Sequence, residues 1–204
     1  MTVEPLTLEG RSVRLEPLSL DHLPGLCQVG LDEELWRWTP NFVRTPADLK
    51  AYVEGALRGQ ADGSVLPFAT VELATGQVIG STRYLNIDRV NLRLEIGATW
   101  IAKPWQRTAM NTEAKYLMLR HGFESLGAMR MELKTDSLNE RSRRAILRLG
   151  AKEEGTLRKH MVTDSGRIRH TVYYSILDEE WPAVKARLER ILNGASNSVI
   201  PAAT

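Results

Sequence analysis

The stretch that decides the fold runs from Leu92 to Thr135 and reads LRLEIGATWIAKPWQRTAMNTEAKYLMLRHGFESLGAMRMELKT. It opens with an alternating apolar run, passes through a polar turn into a long segment of helical periodicity, and closes with a second alternating run. This order predicts a strand, a helix and a second strand, and the helix-length connection makes the two strands parallel. Gly97, inside the first strand, indicates a bulge or a close approach of another backbone.

Further strands and two helices precede this unit. The runs LPFATVEL and VIGSTRYLNI are joined to each other and to the stretch above by short polar turns, which predicts three neighbouring antiparallel strands. Before them, the sequence predicts one strand and two helices. The second helix is capped by Thr45, begins at Pro46 and ends before Gly59.

The sequence after Thr135 predicts a helix, a hairpin and a final amphipathic helix. Ser137 and Glu140 have the spacing of a capping box, and Gly150 stands just past the end of that helix. The complete order predicts an α+β fold in which helices flank a mixed, mostly antiparallel central sheet. No linker or repeat divides the interior, so residues 1–192 are expected to form a single domain and residues 193–204 a flexible tail.

Composition and charge disfavour several classes of protein. The 27 basic and 25 acidic residues give a net charge of +2, which is too balanced for a dedicated nucleic-acid or membrane-surface protein. Cys27 is the only cysteine, so no intramolecular disulfide forms, and the four histidines have no metal-motif spacing. The chain has no apolar run near the roughly 18 residues of a membrane span and no signal-like N-terminus. We expect a cytoplasmic protein without bound metal, with neither nucleic acid nor membrane as a partner.

The polar turn before the central helix is rich in side-chain donors, namely Gln106, Arg107, Thr108, Asn111 and Thr112. The first turn of a helix carries unpaired backbone N–H groups and a partial positive charge, so this position suits an anion. An ordinary capped helix start has the same composition, and the turn by itself does not separate the two interpretations.

Taken in order, the stretches LEIGATW, NTEAK and LKTDSLNERSRRAILRLGAKEEG resemble the GNAT superfamily of acyl-CoA-dependent N-acetyltransferases. The resemblance covers about Leu6 to Leu192 and is nearest to the branch of ribosomal-protein N-terminal acetyltransferases. It implies acetyl-CoA as the acyl donor and a GNAT-like fold whose parallel strand pair splays apart to form the acyl-CoA cleft. In this family the pantetheine arm pairs with the edge of the first strand of that pair, in place of a missing strand.

The resemblance also implies which residues hold the coenzyme. The family's phosphate loop reads Q/R-x-x-G-x-G/A, and Gln106 to Asn111 occupy it here, with Ala109 and Asn111 where Gly or Gly/Ala is usual. Ala109 is expected in right-handed helical geometry, in which its backbone can still approach a phosphate. The residues implied to bind the coenzyme are Thr99, Trp100, Ile101, Gln106, Arg107, Thr108, Ala109, Met110, Asn111, Thr112, Asn139 and Ser142.

Two residues are candidates for proton transfer. In the resembling family, the position of Ser142 donates the proton that the departing thiolate takes up, and Glu95 in mid-strand is the best candidate for the base that deprotonates the amine. Asn139 and Ser142 also suit a helix start, where they would act as caps. For Glu95 the alternative is a solvent-facing side chain in a half-exposed strand.

Aromatic and basic clusters are open to both structural and functional interpretations. Trp36, Trp38, Trp100 and Tyr84 either wall the acceptor pocket or pack in the core. The arginines of the helix after Thr135 either form a solvated face or contact the 3′-phosphate of the coenzyme; they are Arg141, Arg143, Arg144 and Arg148.

The function predicted from these patterns is an acetyl-CoA-dependent N-acetyltransferase that moves the acetyl group directly to a primary amine. The acceptor is a protein N-terminus or a small-molecule amine, and the sequence does not choose between them. The alternative is an acyl-CoA-binding regulatory or scaffold protein with little catalysis, which the altered phosphate loop favours. A nucleic-acid-binding module is disfavoured by the charge balance. Dimers are frequent among similar proteins, so a homodimer is a candidate assembly.

Overall fold

The computed structural model describes the chain from Met1 to Ser196. Its strands are β1 (Leu8–Glu9), β2 (Val13–Pro17), β3 (Leu66–Glu72), β4 (Val78–Asp88), β5 (Arg93–Ile101), β6 (Arg130–Asp136), β7 (Lys152–Val162) and β8 (Ile168–Leu177). Its α-helices are α1 (Leu23–Gly30), α2 (Pro46–Ala61), α3 (Met110–Arg120), α4 (Glu140–Leu149) and α5 (Trp181–Ser196). None of the helices in this part of the chain is both long enough and apolar enough to cross a bilayer.

The eight strands form one sheet in the order β1-β2-β3-β4-β5-β6-β8-β7. Every neighbouring pair is antiparallel except β5 and β6, which are parallel and joined through α3. Only Arg93–Glu95 of β5 pair with β6, opposite Arg130–Glu132, although β5 continues to Ile101 and β6 to Asp136. The two strands therefore separate after three residues, which confirms the α+β fold with a splayed parallel pair.

A bulge lies in β5 next to Gly97, as the sequence predicted. Ser81 of β4 is opposite Trp100, whereas Arg83 is opposite Gly97, so Ala98 and Thr99 together face a single residue of β4. The positive φ of 47° falls on Ala98 rather than on the glycine. The bulge shifts the alternation of side chains by one residue along the last part of β5.

Helices cover the two faces of the sheet and form two separate cores. On one face, Leu94 and Ile96 pack with Leu117 of α3 and Leu188 of α5. On the other face, Trp100 packs with residues of α1 and α2 and of the segment between these helices. Because side chains alternate along a strand, Glu95 and Gly97 project toward the second face.

Two predicted helix boundaries are wrong. The capping box of Ser137 and Glu140 does not form, because α4 begins at Glu140 and Asn139 is its N-cap, with Oδ1 accepting the Ser142 N–H at 3.1 Å. Helix α2 continues past Gly59 to Ala61, since the chain turns only at Asp62 and Gly63.

Two other predicted boundaries concern the end of α4 and the start of the C-terminal tail. Gly150 ends α4 in the left-handed conformation, as predicted. Of the predicted tail, residues 193–196 belong to α5, and residues 197–204 lie outside the described part of the chain.

Candidate active site

The loop between β5 and α3 presents a row of unpaired backbone donors. After a 3₁₀ turn at Lys103–Trp105, Arg107 adopts a φ of +65°, and Ala109 enters helical geometry at φ −68° and ψ −18°. Five N–H groups donate to no protein acceptor within the described residues; they belong to Arg107, Thr108, Ala109, Asn111 and Thr112. Such a row at the start of a helix is suited to bind an anion.

Two arginines of α4 reach the same loop. Arg141 Nη1 donates to Gln106 Oε1 at 2.7 Å, and Arg148 Nη2 donates to the Thr112 hydroxyl at 3.1 Å. Both acceptors are neutral, and neither arginine forms an ion pair with a carboxylate in the part of the chain that the structure describes. Two uncompensated positive charges therefore lie beside the unpaired N–H groups.

The other arginines of α4 have structural partners. Arg143 donates to the Tyr174 hydroxyl at 3.2 Å and to Glu153 at 3.3 Å, and Arg144 pairs with Glu140 on the surface. The arginines of α4 thus form two groups. Arg141 and Arg148 point to the candidate phosphate loop and the first turn of α3, and Arg143 and Arg144 do not.

The side chain of Gln106 links the two sides of the opening between β5 and β6. Its Nε2 donates to the Ile101 carbonyl at the end of β5, at 2.8 Å, while Oε1 accepts from Arg141 in the helix that follows β6. Within the same loop, Thr108 Oγ1 donates to the Trp105 carbonyl at 2.7 Å and accepts the Met110 N–H at 3.3 Å. The buried Asn111 Oδ1 has no partner within the described residues.

Two buried charged residues of α3 were not identified from the sequence. The Glu113 carboxylate accepts the N–H groups of Arg11, Ser12 and Val13 at 2.6, 2.9 and 3.2 Å, which fixes the first turn of α3 to the turn between β1 and β2. The motif NTEAK contained this glutamate, but nothing in it indicated the distant backbone partners.

The second is Lys115, whose side chain is 5 % exposed. Its Nζ donates to the hydroxyl of Thr82 at 3.1 Å and to that of Thr99, and these two hydroxyls are 2.7 Å apart. Because the ammonium has lost its hydration, burial lowers the pKa of Lys115 to about 7. Thr99, which the resemblance assigned to the coenzyme site, is thus hydrogen-bonded to α3 through Lys115.

Glu95 is buried, with 1 % of its surface exposed, so the solvent-facing alternative is wrong. Its Oε2 accepts from Asn86 Nδ2 at 2.8 Å and pairs with Lys134 Nζ at 3.0 Å. The other oxygen, Oε1, has no partner in the described chain and lies 2.8 Å from the position that a Cβ on Gly97 would occupy. Gly97 thereby leaves room for a carboxylate oxygen that accepts no hydrogen bond from the described residues.

Asn139 and Ser142 lie at the start of α4, where only the side chain of Asn139 forms a hydrogen bond with a described residue. The Asn139 side chain caps the helix, so the capping alternative holds for this residue. The half-buried Ser142 hydroxyl has no hydrogen-bond partner in the described chain. Ser142 is therefore free to donate its O–H to a ligand.

The aromatic residues divide between a cavity and the cores. Trp36 and Trp38 line a cavity of about 450 Å³ together with Phe42 and Arg167. The guanidinium carbons of Arg37 and Arg167 lie 5.0 and 5.3 Å from the Trp38 ring centre.

Tyr84 and Trp100 pack in opposite cores and do not line this cavity. The Trp100 indole is buried against Trp36, and the carbonyl oxygen of Trp100 lies against Gly80 of β4. In the described residues no group of three or more His, Cys, Asp or Glu side chains is arranged to hold a metal ion.

A mixed sheet that opens between two parallel strands, beside a helix start with unpaired N–H groups, has the architecture of an acyl-CoA-dependent transferase. Comparison with protein-family models agrees, since the model of the acetyltransferase (GNAT) domain matches residues 12–152, more than half of the chain. The chain belongs to the GNAT family of N-acetyltransferases, enzymes that take the acetyl group from acetyl-CoA.

Solved structures show the same likeness over nearly the whole chain. A GCN5-related N-acetyltransferase from Brucella melitensis is 34 % identical, with a TM-score of 0.86 over 93 % of this chain and 86 % of that chain. A protein from T. thermophilus assigned as an acetyltransferase is 41 % identical, with a TM-score of 0.85 over 94 % of this chain and 100 % of that one.

More distant comparisons bear on the fold alone or find nothing. RimJ from Mycobacterium smegmatis, solved with CoA-disulfide, is 23 % identical over 88 % of each chain, with a TM-score of 0.76, and at this identity the likeness shows the fold alone. Comparison with curated protein sequences gives no match.

Proposed function

We propose that this enzyme transfers the acetyl group of acetyl-CoA to a primary amine in one direct step. In this proposal the coenzyme lies in the opening between β5 and β6, with its phosphates at the start of α3. One observation carries the proposal: five N–H groups without partners in the described chain converge with Arg141 and Arg148, neither of which has a carboxylate partner there. A site with many donors and uncompensated positive charge fits the pyrophosphate and 3′-phosphate of coenzyme A.

The open edge of β5 supports a place for the pantetheine arm. Beyond Glu95, β5 has no strand partner on the β6 side within the described residues, so the backbone groups of residues 97–101 that face β6 are available to an extended ligand that contains amides. The Ile101 carbonyl is the exception, because it already accepts from Gln106. The bulge at Ala98 turns this part of the edge, and the Tyr52 hydroxyl holds the bulge by donating to the Ala98 carbonyl at 3.1 Å.

The proposed reaction forms one C–N bond and breaks one C–S bond. The amine loses a proton, for which Glu95 Oε1 is the acceptor, directly or through a water molecule. The released thiolate gains a proton, for which the Ser142 hydroxyl is the donor. Water returns a proton to Ser142, and Glu95 releases the proton it took from the amine to water, so the step balances. The amine is that of a protein N-terminus or of a small molecule, and we place the reaction in the cytoplasm, where acetyl-CoA is a common metabolite.

The function is tested by measuring free thiol released from acetyl-CoA in the presence of a broad panel of primary amines that includes peptide N-termini. We expect acceptor-dependent release by the wild-type enzyme and a loss of about 10²–10⁴-fold in Glu95→Gln, because the amine loses its proton acceptor. High pH should partly restore this variant, since fewer amine molecules then need deprotonating. The matched control is Glu140→Gln, which changes a surface carboxylate that pairs with Arg144.

Two outcomes of this assay would contradict the proposal. If no amine in the panel increases thiol release, the chain does not catalyse this reaction with that class of acceptor. If Glu95→Gln loses activity equally at every pH, Glu95 has a structural role through its contacts with Lys134 and Asn86 and is not the base.

A further inference from the structure

A group of buried polar atoms without partners in the described chain lies on the face of β4 and β5 that α1 and α2 cover. On β4 these atoms are Ser81 Oγ and the Nε and Nη2 of Arg83, and on β5 they are Glu95 Oε1 and Trp100 Nε1. Alternation places Ser81 and Arg83 on one face of β4, and the bulge brings Trp100 to the face of Glu95. Buried polar groups are nearly always paired in native proteins, so a cluster of unpaired ones points to a missing ligand.

Arg83 is the strongest feature of this cluster. Only 8 % of the residue is exposed, and its guanidinium carbon lies 4.4 Å from the centre of the Tyr52 ring. Nε and Nη2 lie on the same edge of the guanidinium and form the fork that binds a carboxylate through two parallel hydrogen bonds. No described residue accepts a hydrogen bond from this fork, and Glu95 pairs with Lys134 instead.

Arg83 has no carboxylate partner within the described residues, whereas two basic residues elsewhere on or beside the sheet do. Lys134 pairs with Glu95, and Arg167 pairs with Asp136 at 2.5 Å. Arg169, which is 4 % exposed, donates to the Thr171 hydroxyl and, like Arg83, forms no ion pair within the described residues. A buried cation without an anion is costly, so a ligand that supplies an anionic oxygen would be favoured here.

The register of β4 and β5 places the two key residues, Arg83 and Glu95, near one another. Arg83 lies directly opposite Gly97 in the β4–β5 register, and Glu95 is its diagonal neighbour, about 7–8 Å away between Cα atoms. Since Gly97 has no side chain, Glu95 Oε1 and a methyl carbon of Leu85 occupy the space where its Cβ would lie. The unpaired Oε1 of Glu95 and the unpaired fork of Arg83 thus project from neighbouring positions on one face of the sheet.

We infer that the acceptor is a small amino carboxylate, such as a free amino acid, whose carboxylate binds the Nε and Nη2 fork of Arg83 while its amine faces Glu95. This inference rests on the proposed acetyl transfer and narrows its acceptor class. Polyamines and aminoglycosides have no anion for the fork. A peptide N-terminus offers a neutral carbonyl at the equivalent position, which is a weaker partner for a guanidinium than a carboxylate is.

The test compares each of the twenty protein amino acids with its own α-carboxamide, first in binding to the enzyme saturated with coenzyme A. We expect at least one amino acid to bind about 10–100-fold more tightly than its amide, the range of a charge-assisted hydrogen bond. Arg83→Gln should abolish this preference, and Arg83→Lys should abolish most of it because lysine keeps the charge without the fork. The matched control is Arg89→Gln, which changes an exposed arginine just after β4.

The same pairs are then compared in acetyl-CoA-dependent thiol release, together with peptide amides and a polyamine. An Arg83-dependent preference for the carboxylate in both assays supports the inference. Equal use of amino acids and their amides, or a preference that survives Arg83→Gln, overturns it. If Arg83→Gln does not fold, the wild-type comparison of acid with amide and the Arg83→Lys variant still decide the question.

Failure of this inference is distinguishable from failure of the proposed function. Thiol release with amides, peptides or polyamines as readily as with amino acids supports acetyl transfer and overturns the carboxylate site. Arg83-dependent binding of an amino acid without any thiol release supports the carboxylate site and contradicts the proposed reaction.

Discussion

At the scale of single residues, burial of Lys115 is the feature that local sequence predicts least. In NTEAKYLML a lysine would ordinarily extend to solvent from a helix, yet its partners here are the hydroxyls of Thr82 and Thr99 on two other elements. Glu95 shows the same limit, because alternation predicts its face but not the partners Asn86 and Lys134 that bury it. Burial of a charge depends on tertiary contacts that no short stretch encodes.

The lowered pKa of Lys115 predicts a pH-dependent stability. Between a pKa of about 7 in the folded state and 10.5 in the unfolded state, the unfolded chain binds a proton that the folded chain does not. The free energy of unfolding therefore rises with pH in this window, by at most about 1.4 kcal/mol per pH unit from this one group. We expect Lys115→Met to be more stable than the wild type, with the difference largest near pH 7 and smaller by about 2–3 kcal/mol at pH 9.

The measurement is chemical denaturation of both proteins at pH 7, 8 and 9. The methionine leaves the Thr82 and Thr99 hydroxyls bonded to each other, so it introduces no new unpaired group there. Lys50→Met is the control, because Lys50 is exposed and pairs with Glu54 on α2. A stability difference for Lys115→Met that is the same at all three values would show that the lysine is not buried as an uncharged amine.

At the scale of elements, the loop that opens α3 was predicted in part. Ala109 lies in right-handed helical geometry, as expected, but the left-handed residue of the loop is Arg107, which the motif comparison did not single out. Ser137 and Asn139 are both good caps two residues apart, and only the geometry after β6 selects Asn139. Helix starts are hard to assign from sequence when neighbouring residues have the same capping chemistry.

The same loop offers a matched pair of glycine substitutions. Arg107→Gly relieves a left-handed conformation that costs about 1–2 kcal/mol, which offsets the added freedom of the unfolded chain. Ala109→Gly, at the N-cap of α3, relieves no strain and costs roughly 0.4–1 kcal/mol through the added freedom of the unfolded chain. We expect Arg107→Gly to be more stable than Ala109→Gly by at least about 1 kcal/mol in thermal unfolding.

Acetyl-CoA titration of the same two variants adds an independent readout. Ala109→Gly should not bind much more tightly than the wild type, because the backbone at this position is already helical. Equal destabilisation by both glycines, or tenfold tighter acetyl-CoA binding in Ala109→Gly, would mean that the native loop has a different conformation from the one described.

At the scale of the whole molecule, most of the architecture follows from the sequence. Short polar turns predicted the antiparallel β3–β4–β5 meander, and the helix-length connection from Leu92 to Thr135 predicted the parallel pair. The splayed opening between β5 and β6 followed from the family resemblance and not from the residues themselves. The division of the arginines of α4 could not be predicted, because it depends on how α4 packs against the loop and against β7 and β8.

The proposed position of the coenzyme is best tested by amide hydrogen exchange of the wild-type enzyme with and without saturating acetyl-CoA. We predict that added protection is concentrated in residues 107–112, where the unpaired N–H groups would bind phosphates, and along 96–101 of β5, where the open edge would pair with pantetheine. Binding without added protection in these two segments, or protection centred instead on the β7–β8 hairpin on the other side of β6, would contradict this position.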